Sequence, residues 1–316
     1  MSSSTSSSER STSRPRRWLV AVGILLVLFG GEVAARFMAP GFGQNGDWPS
    51  VETFVKHEQM TELDDVHTVY VGTSFAAFGI DSAVIADRTN QIHYNAGLSA
   101  AGFEILDAWT RDMVVPLAEP ERVVLALGHI DLNDSDVDNR RRFFEAPAVS
   151  HYDNPSQLRR VEVALQHVST LFEYRRQFRN PRDVGRAVVS RDFPEFWGAF
   201  GERQDDFSNE PIRASWETSS ALPTAAQLAR LEELVDWLHD NDIEVVLVFM
   251  PTAEGFLVPE ADDAAIESLH TIGSSANVPV IDGRDYVTDP ALFFDGVHLN
   301  PLGQEAFSEA LAAVLG

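Results

Sequence analysis

Apolar residues along this chain fall into two kinds of run. Short, nearly unbroken β-rich stretches occur at His67 to Val71, Gln91 to Tyr94, Arg122 to Leu127, Ile243 to Phe249 and Val278 to Ile281. Between them, helical spacing covers Phe103 to Leu117, Ala225 to His239, Asp262 to Ala276 and Pro301 to Leu315. A run such as Val245-Val246-Leu247-Val248-Phe249 carries no polar alternate positions, so both of its faces are expected to be covered, as in a parallel sheet. The five β-rich runs and the helices between them predict an α/β fold, a three-layer, doubly wound, mainly parallel sheet of the flavodoxin-like kind. Functional groups in such a fold gather at the C-terminal ends of the strands.

The pattern departs from this rhythm in three places. Residues 1–17 are mostly Ser, Thr and Arg and are expected to be a disordered cytoplasmic tail. Behind Arg14, Arg16 and Arg17 comes an uncharged apolar run from Trp18 to Gly31, continued past Glu32 to Ala35. The basic flank predicts a cytoplasmic N-terminus, with everything beyond the run outside the membrane. Its 14 uncharged residues span ~21 Å, which suits a signal peptide, and residues 18–35 together approach the length of a signal anchor. Arg16-Arg17 also looks like a twin-arginine export address, and Val33-Ala34-Ala35 offers small residues for cleavage, after which the domain would be secreted. Residues 36–65 read as a linker, because Gly41 to Asp65 is Gly-rich and polar, and residues 66–316 as the domain.

The third departure lies at about 136–213, where Arg140-Arg141-Arg142, Arg159-Arg160 and Arg175-Arg176 are interleaved with aromatics such as Phe143, Tyr152, Phe172 and Trp197. This stretch holds 13 Arg and 13 Asp+Glu, so it is neutral and reads as a partly helical insertion, either a functional lid or an ordinary solvated excursion.

Charge narrows the function classes. The chain carries 48 Asp+Glu against 24 Lys+Arg, a formal net charge of -24, which argues against nucleic acid as a partner. Lys56 is the only Lys, a usage that fits salt adaptation or a GC-rich genome equally. There is no Cys, hence no disulfide framework and no thiolate chemistry. No His/Cys/Asp/Glu spacing suggests a metal, and no Gly-rich loop suggests ATP or a nicotinamide, so no cofactor is expected.

The chemistry-bearing candidates sit at opposite ends of the domain. Ser74 follows Val69-Tyr70-Val71-Gly72 and should lie where the first strand ends. Asp295 and His298 are three residues apart, just before Asn300 as N-cap and Pro301 as first helical residue. Nucleophilic catalysis needs a hydroxyl, a base in hydrogen-bond reach and a group that orients the base. Ser74, His298 and Asp295 supply these types, and a doubly wound sheet would bring both places to one edge. Alone, a Gly-Thr-Ser after a strand is an ordinary helix cap and an Asp-Gly turn an ordinary turn.

Gly72-Thr73-Ser74, Tyr94-Asn95-Ala96-Gly97-Leu98-Ser99 and Asp295-Gly296-Val297-His298 with Asn300 resemble, in order, the blocks of the SGNH (GDSL-like) hydrolase superfamily. Gly72-Thr73-Ser74-Phe75 followed by Phe78-Gly79-Ile80-Asp81 is most similar to its membrane-anchored extracytoplasmic branch, which includes the DltD-like and alginate-acetylation proteins. The resemblance covers about residues 66–134 and 243–316 and leaves the insertion unmatched. It implies an exported Ser-His-Asp esterase or O-acyltransferase. The substrate would be an acylated, typically acetylated, cell-surface glycan, and a multi-pass membrane acyltransferase would be a partner. The implied oxyanion donors are the N–H of Ser74, a second-block N–H falling on Ala100 with Gly97 as alternative, and a third-block Asn. That Asn position falls on Ile130 in Gly128-His129-Ile130-Asp131-Leu132-Asn133, which leaves Asn133 or His129 to replace it. Losing one donor typically costs ~3 kcal/mol of transition-state stabilisation. Ile130 therefore also admits a non-catalytic glycan-binding or assembly subunit, and a secreted lipase would need an apolar groove under the insertion.

Overall fold

Along each strand the side chains alternate in direction, and in this computed structural model two separate cores result. Val69, Val71, Val123, Leu125, Leu127, Val245, Leu247 and Phe249 face one way and pack with Trp109, Leu231, Leu234 and Leu269. Tyr70, Val124, Ala126, Val246, Val248 and Ile281 face the other way and pack with Phe75, Ile85, Phe307 and Leu311. A sheet apolar on both sides needs helices on both sides, which produces the three layers. The structure describes residues 15–45, 48–99, 101–133, 168–175, 177–179, 181–189, 222–254 and 259–316, together with Val161 and Leu165. Residues 1–14 of the expected tail and most of the expected insertion lie outside the described residues.

The strands are β1 (Thr68–Gly72), β2 (His93–Asn95), β3 (Arg122–Leu127), β4 (Glu244–Phe249) and β5 (Val280–Asp282). They form one sheet in the order β2-β1-β3-β4-β5, with every pairing parallel. This is the flavodoxin-like order, and the chain changes direction across the sheet between β1 and β3. The crevice at that switch point opens at the end of β1, where Ser74 begins α3 (Ser74–Gly79). The remaining helices of the two outer layers are α4 (Ser82–Thr89), α5 (Phe103–Trp109) with α6 (Val115–Ala118), the long helix Ala225–Asp240, the long helix Pro259–Ala276 and the last helix Pro301–Leu315. Between α5 and α6 the run passes through a π turn, Thr110–Val114, without leaving the helical path predicted for it.

Two expectations about the N-terminal region change. The first helix, α1, runs from Pro15 to Asn45, well past the apolar run. Its segment Trp18–Ala39 is 22 residues with mean hydropathy 2.2, long and apolar enough to cross a membrane. Residues from Trp18 to Gly30 are exposed, whereas Ala35 and Met38 are buried. Glu32 does more than interrupt the apolar run. Its carboxylate accepts hydrogen bonds from Ser169 Oγ at 2.8 Å and from the N–H groups of Thr170 and Leu171 at 3.1 Å each. It thereby caps the short helix Thr170–Glu173 within the expected insertion.

The expected linker is the second change. Residues Trp48–Thr61 form a helix, α2, that docks on the domain with Glu52, Val55, Lys56 and Met60 buried. Among its described residues three of the five buried ones, Glu52, Thr53 and Lys56, are polar, so the apolar periodicity that would have marked it is missing from the sequence.

Candidate active site

The start of α3 is built by the residues before it. Thr73 has extended backbone angles and its side chain accepts from Phe75 N at 3.4 Å, making it the N-cap and Ser74 the first helical residue. At that position the Ser74 N–H has no intrahelical acceptor. Ser74 is half-buried, and its Oγ lies 2.8 Å from Nε2 of His298.

His298 sits in a tight loop closed by an antiparallel bridge between Phe293 and Leu299 and by Phe294 N–H donating to the His298 carbonyl at 2.7 Å. Asn300 anchors the loop on both sides. Its side chain accepts from Gly303 N at 3.1 Å and donates to the Ala291 carbonyl at 2.7 Å, while its N–H donates to the Leu292 carbonyl at 3.0 Å. The N-cap read from Asn300-Pro301 is thus also the clasp of the loop. A further tie comes from Ala253, whose N–H donates to the Gly296 carbonyl at 3.0 Å and joins the loop to the end of β4.

Asp295 is buried, and its two oxygens divide their work. Oδ1 accepts from the N–H groups of Val297 and His298 at 2.8 Å each, and Oδ2 lies 2.7 Å from His298 Nδ1. Burial alone would raise the Asp295 pKa, but the His298 hydrogen bond and charge and the two N–H groups outweigh it and hold the carboxyl below its ordinary value. A carboxylate so held keeps the proton on Nδ1 and leaves Nε2 to accept from Ser74 Oγ. Phe75 and Phe78 flank the imidazole, with ring centroids 6.3 and 5.3 Å away, and limit its rotation.

The expected oxyanion donors fare differently. Ala100 lies outside the described residues. Gly97 is corrected as a donor, because its N–H donates to Asn95 Oδ1 at 2.9 Å inside its own loop. Asn133 is buried at the end of the 3₁₀ turn His129–Leu132. His129, also buried, has Nδ1 2.7 Å from Asp262 Oδ1 on the helix Pro259–Ala276, so that ring nitrogen serves the packing of the turn. Ile130 packs against the core cluster that contains Phe75, Met250 and Val297. At the expected third-block position an apolar side chain is therefore packed against the core.

Sequence reasoning gave no role to the side chains of Asn95, Glu52 or Lys56. The Asn95 side chain donates to the carbonyls of Ala76 and Ile80 at 2.8 and 2.7 Å and so holds α3 from below. The one available signal for the pair on α2 was that Lys56 is the only lysine of the chain. Among the described residues no group of His, Cys, Asp and Glu could hold a metal ion.

No family model matches this chain, and no curated protein matches it. Among solved structures it is similar to a catalytic mutant of an acetylxylan esterase from Geobacillus stearothermophilus, at 11% identity over 81% of this chain and 96% of that one, with a TM-score of 0.43. It is also similar to a GDSL-like lipase from Bacteroides thetaiotaomicron, at 12% identity over 84% of this chain and 98% of that one, with a TM-score of 0.41.

Proposed function

We propose that this chain is an SGNH-type serine esterase or O-acyltransferase, anchored at the outer face of a membrane and acting on acyl esters of a cell-surface polysaccharide. The observation that carries the reading is the continuous line from Asp295 Oδ2 through the His298 ring to Ser74 Oγ, with contacts of 2.7 and 2.8 Å. A hydroxyl is a weak nucleophile on its own, and this line is the arrangement that activates one.

In the proposed reaction Ser74 Oγ attacks the acyl carbonyl while His298 Nε2 takes its proton. The imidazolium that forms is stabilised by Asp295, which stays ionised. The developing oxyanion is met by the Ser74 N–H at the start of α3. His298 then protonates the departing alkoxide, leaving an acyl-serine. Water, or a sugar hydroxyl deprotonated by His298, attacks that acyl group and restores Ser74. The same groups serve hydrolysis and transfer, and the acceptor decides between them. The apolar helix Trp18–Ala39 supports anchoring.

A second reading, a non-catalytic glycan-binding or assembly subunit on the same scaffold, is favoured by one observation, Ile130 packed where a donor side chain is expected. One experiment separates the two. The purified full chain in detergent should turn over a chromogenic acetyl ester and take up a fluorophosphonate at Ser74. Absence of both from a folded chain would leave the scaffold reading standing.

A further inference from the structure

The helix α2, which follows the membrane-length helix in the chain, turns the side chains of Glu52, Lys56 and Gln59 to one loop. Glu52 is fully buried, and its Oε2 accepts from Ser99 N while its Oε1 accepts from Ser99 Oγ, each at 3.0 Å. One turn later Lys56 is also buried, and its Nζ donates to the Asn95 carbonyl at 2.7 Å. Gln59 adds a third contact, accepting from Tyr94 Oη at 2.8 Å. Every one of these bonds lands between Tyr94 and Ser99, on the end of β2 and the loop that follows it.

That loop is the floor under the Ser74 helix. Asn95 holds the carbonyls of Ala76 and Ile80. Leu98 N–H donates to the Gly72 carbonyl at 2.8 Å, two residues before Ser74. A Cβ on Gly97 would stand 2.6 Å from Ala77 N, so the loop approaches α3 as closely as only glycine allows. A shift of the loop would therefore be transmitted to Ser74 through backbone contacts.

Two opposite charges withdrawn from water are a poor source of stability, since apolar residues of similar volume usually do as well. Burial pushes the Lys56 ammonium down to about 8, against the opposing pull of Glu52's charge. What such a pair supplies better than an apolar contact is direction, because each hydrogen bond fixes one atom of the loop.

We propose that Glu52 and Lys56 are positioning residues for the Ser74 site. By gripping Ser99 and Asn95 they set the loop after β2 against α3, and so tie the nucleophile's helix to the segment that leaves the membrane helix. The proposal rests on the reading of Ser74 as nucleophile. It makes the membrane-proximal helix part of the catalytic unit instead of a tether.

The test uses the full chain in detergent micelles, with Glu52→Gln and the milder Ser99→Ala, which removes only the hydroxyl contact. Hydrogen exchange should rise in residues 95–99 of both variants and stay unchanged in β3 and in Pro301–Leu315. Acetyl-ester turnover per fluorophosphonate-titrated site should fall about tenfold or more in Glu52→Gln, with KM within about twofold, as expected when catalytic geometry slips without loss of substrate binding. Unchanged exchange in the loop, or turnover per titrated site equal to wild type, would overturn the proposal. If Glu52→Gln does not fold, Ser99→Ala decides by the same two readouts, with a smaller loss. A wild-type chain that neither labels nor turns over sinks the reading of Ser74 itself, an outcome visible without any variant. The exchange result then still reports whether α2 holds the loop.

Discussion

Ser74 Oγ and His298 Nε2 are 2.8 Å apart in space and 224 residues apart in sequence. The contact exists because β1 and the loop before the last helix end at the same edge of a parallel sheet. Ser74 starts a capped helix there, and Asn300 clasps the loop that carries His298.

Removing either partner should stop the chemistry and spare the fold. For Ser74→Ala we expect loss of fluorophosphonate labelling and a fall in kcat of ~10⁴-fold or more, with a similar fall for His298→Ala, as for other units that act together. Both side chains are only partly buried, so thermal unfolding should move by no more than a few degrees. Turnover that survives in both variants would rule out the proposed roles.

Asp295→Asn should lower kcat by ~10³ to 10⁴-fold, because an amide no longer enforces the tautomer that leaves Nε2 free to accept. A stability effect with a definite sign accompanies it. The Asp295 carboxyl titrates lower in the folded chain than its unfolded value of about 3.9. Its contribution is therefore present above about pH 3.9 and is lost as pH falls through that value toward the folded pKa. Denaturant unfolding between pH 3 and 7 should show a steeper acid-side loss in wild type than in Asp295→Asn.

Gly303→Ala tests the clasp. A Cβ at Gly303 would lie 2.0 Å from the Leu292 carbonyl oxygen, a backbone atom that also accepts from Asn300 N–H. The last helix must shift away from the loop, at a cost of about 3 kcal/mol. Urea unfolding should report the loss of stability, and kcat should fall with it as the His298 loop loosens.

Shortening the N-terminus should separate anchoring from folding. A chain beginning at residue 46 should leave the membrane fraction and keep a cooperative unfolding transition. A chain beginning at residue 62 lacks the buried Val55 and Met60, worth about 4 kcal/mol of apolar burial together, and also the buried Glu52 and Lys56. It should unfold at markedly lower urea and show little turnover even where folded.

The strands and long helices were legible because they rest on short-range rules. Val245 to Phe249 is apolar at every position and could only be a strand covered on both faces, and Asn300-Pro301 states a helix start in two residues. Asp295 and His298 were legible for the same reason, being neighbours one turn apart, and Ser74 because its place after a strand is a local fact. Helix α2 was not legible. A carboxylate that will be buried against Ser99 N and Oγ is spelled like one on the surface, and the helix has too little apolar periodicity to announce its buried face.

What the sequence determined by itself was therefore the α/β order, the apolar N-terminal helix and the residue types of the candidate site. Those follow from backbone periodicity, capping and the chemistry of single side chains. What only the tertiary structure decided was which polar atoms meet. It sets the Asn95 side chain on the carbonyls of Ala76 and Ile80, turns Glu32 to the helix at Thr170, and closes Glu52 and Lys56 over the loop beneath Ser74. A hydrogen bond between distant residues leaves no period in the chain. It depends on distances of about 3 Å that exist only once both cores have packed.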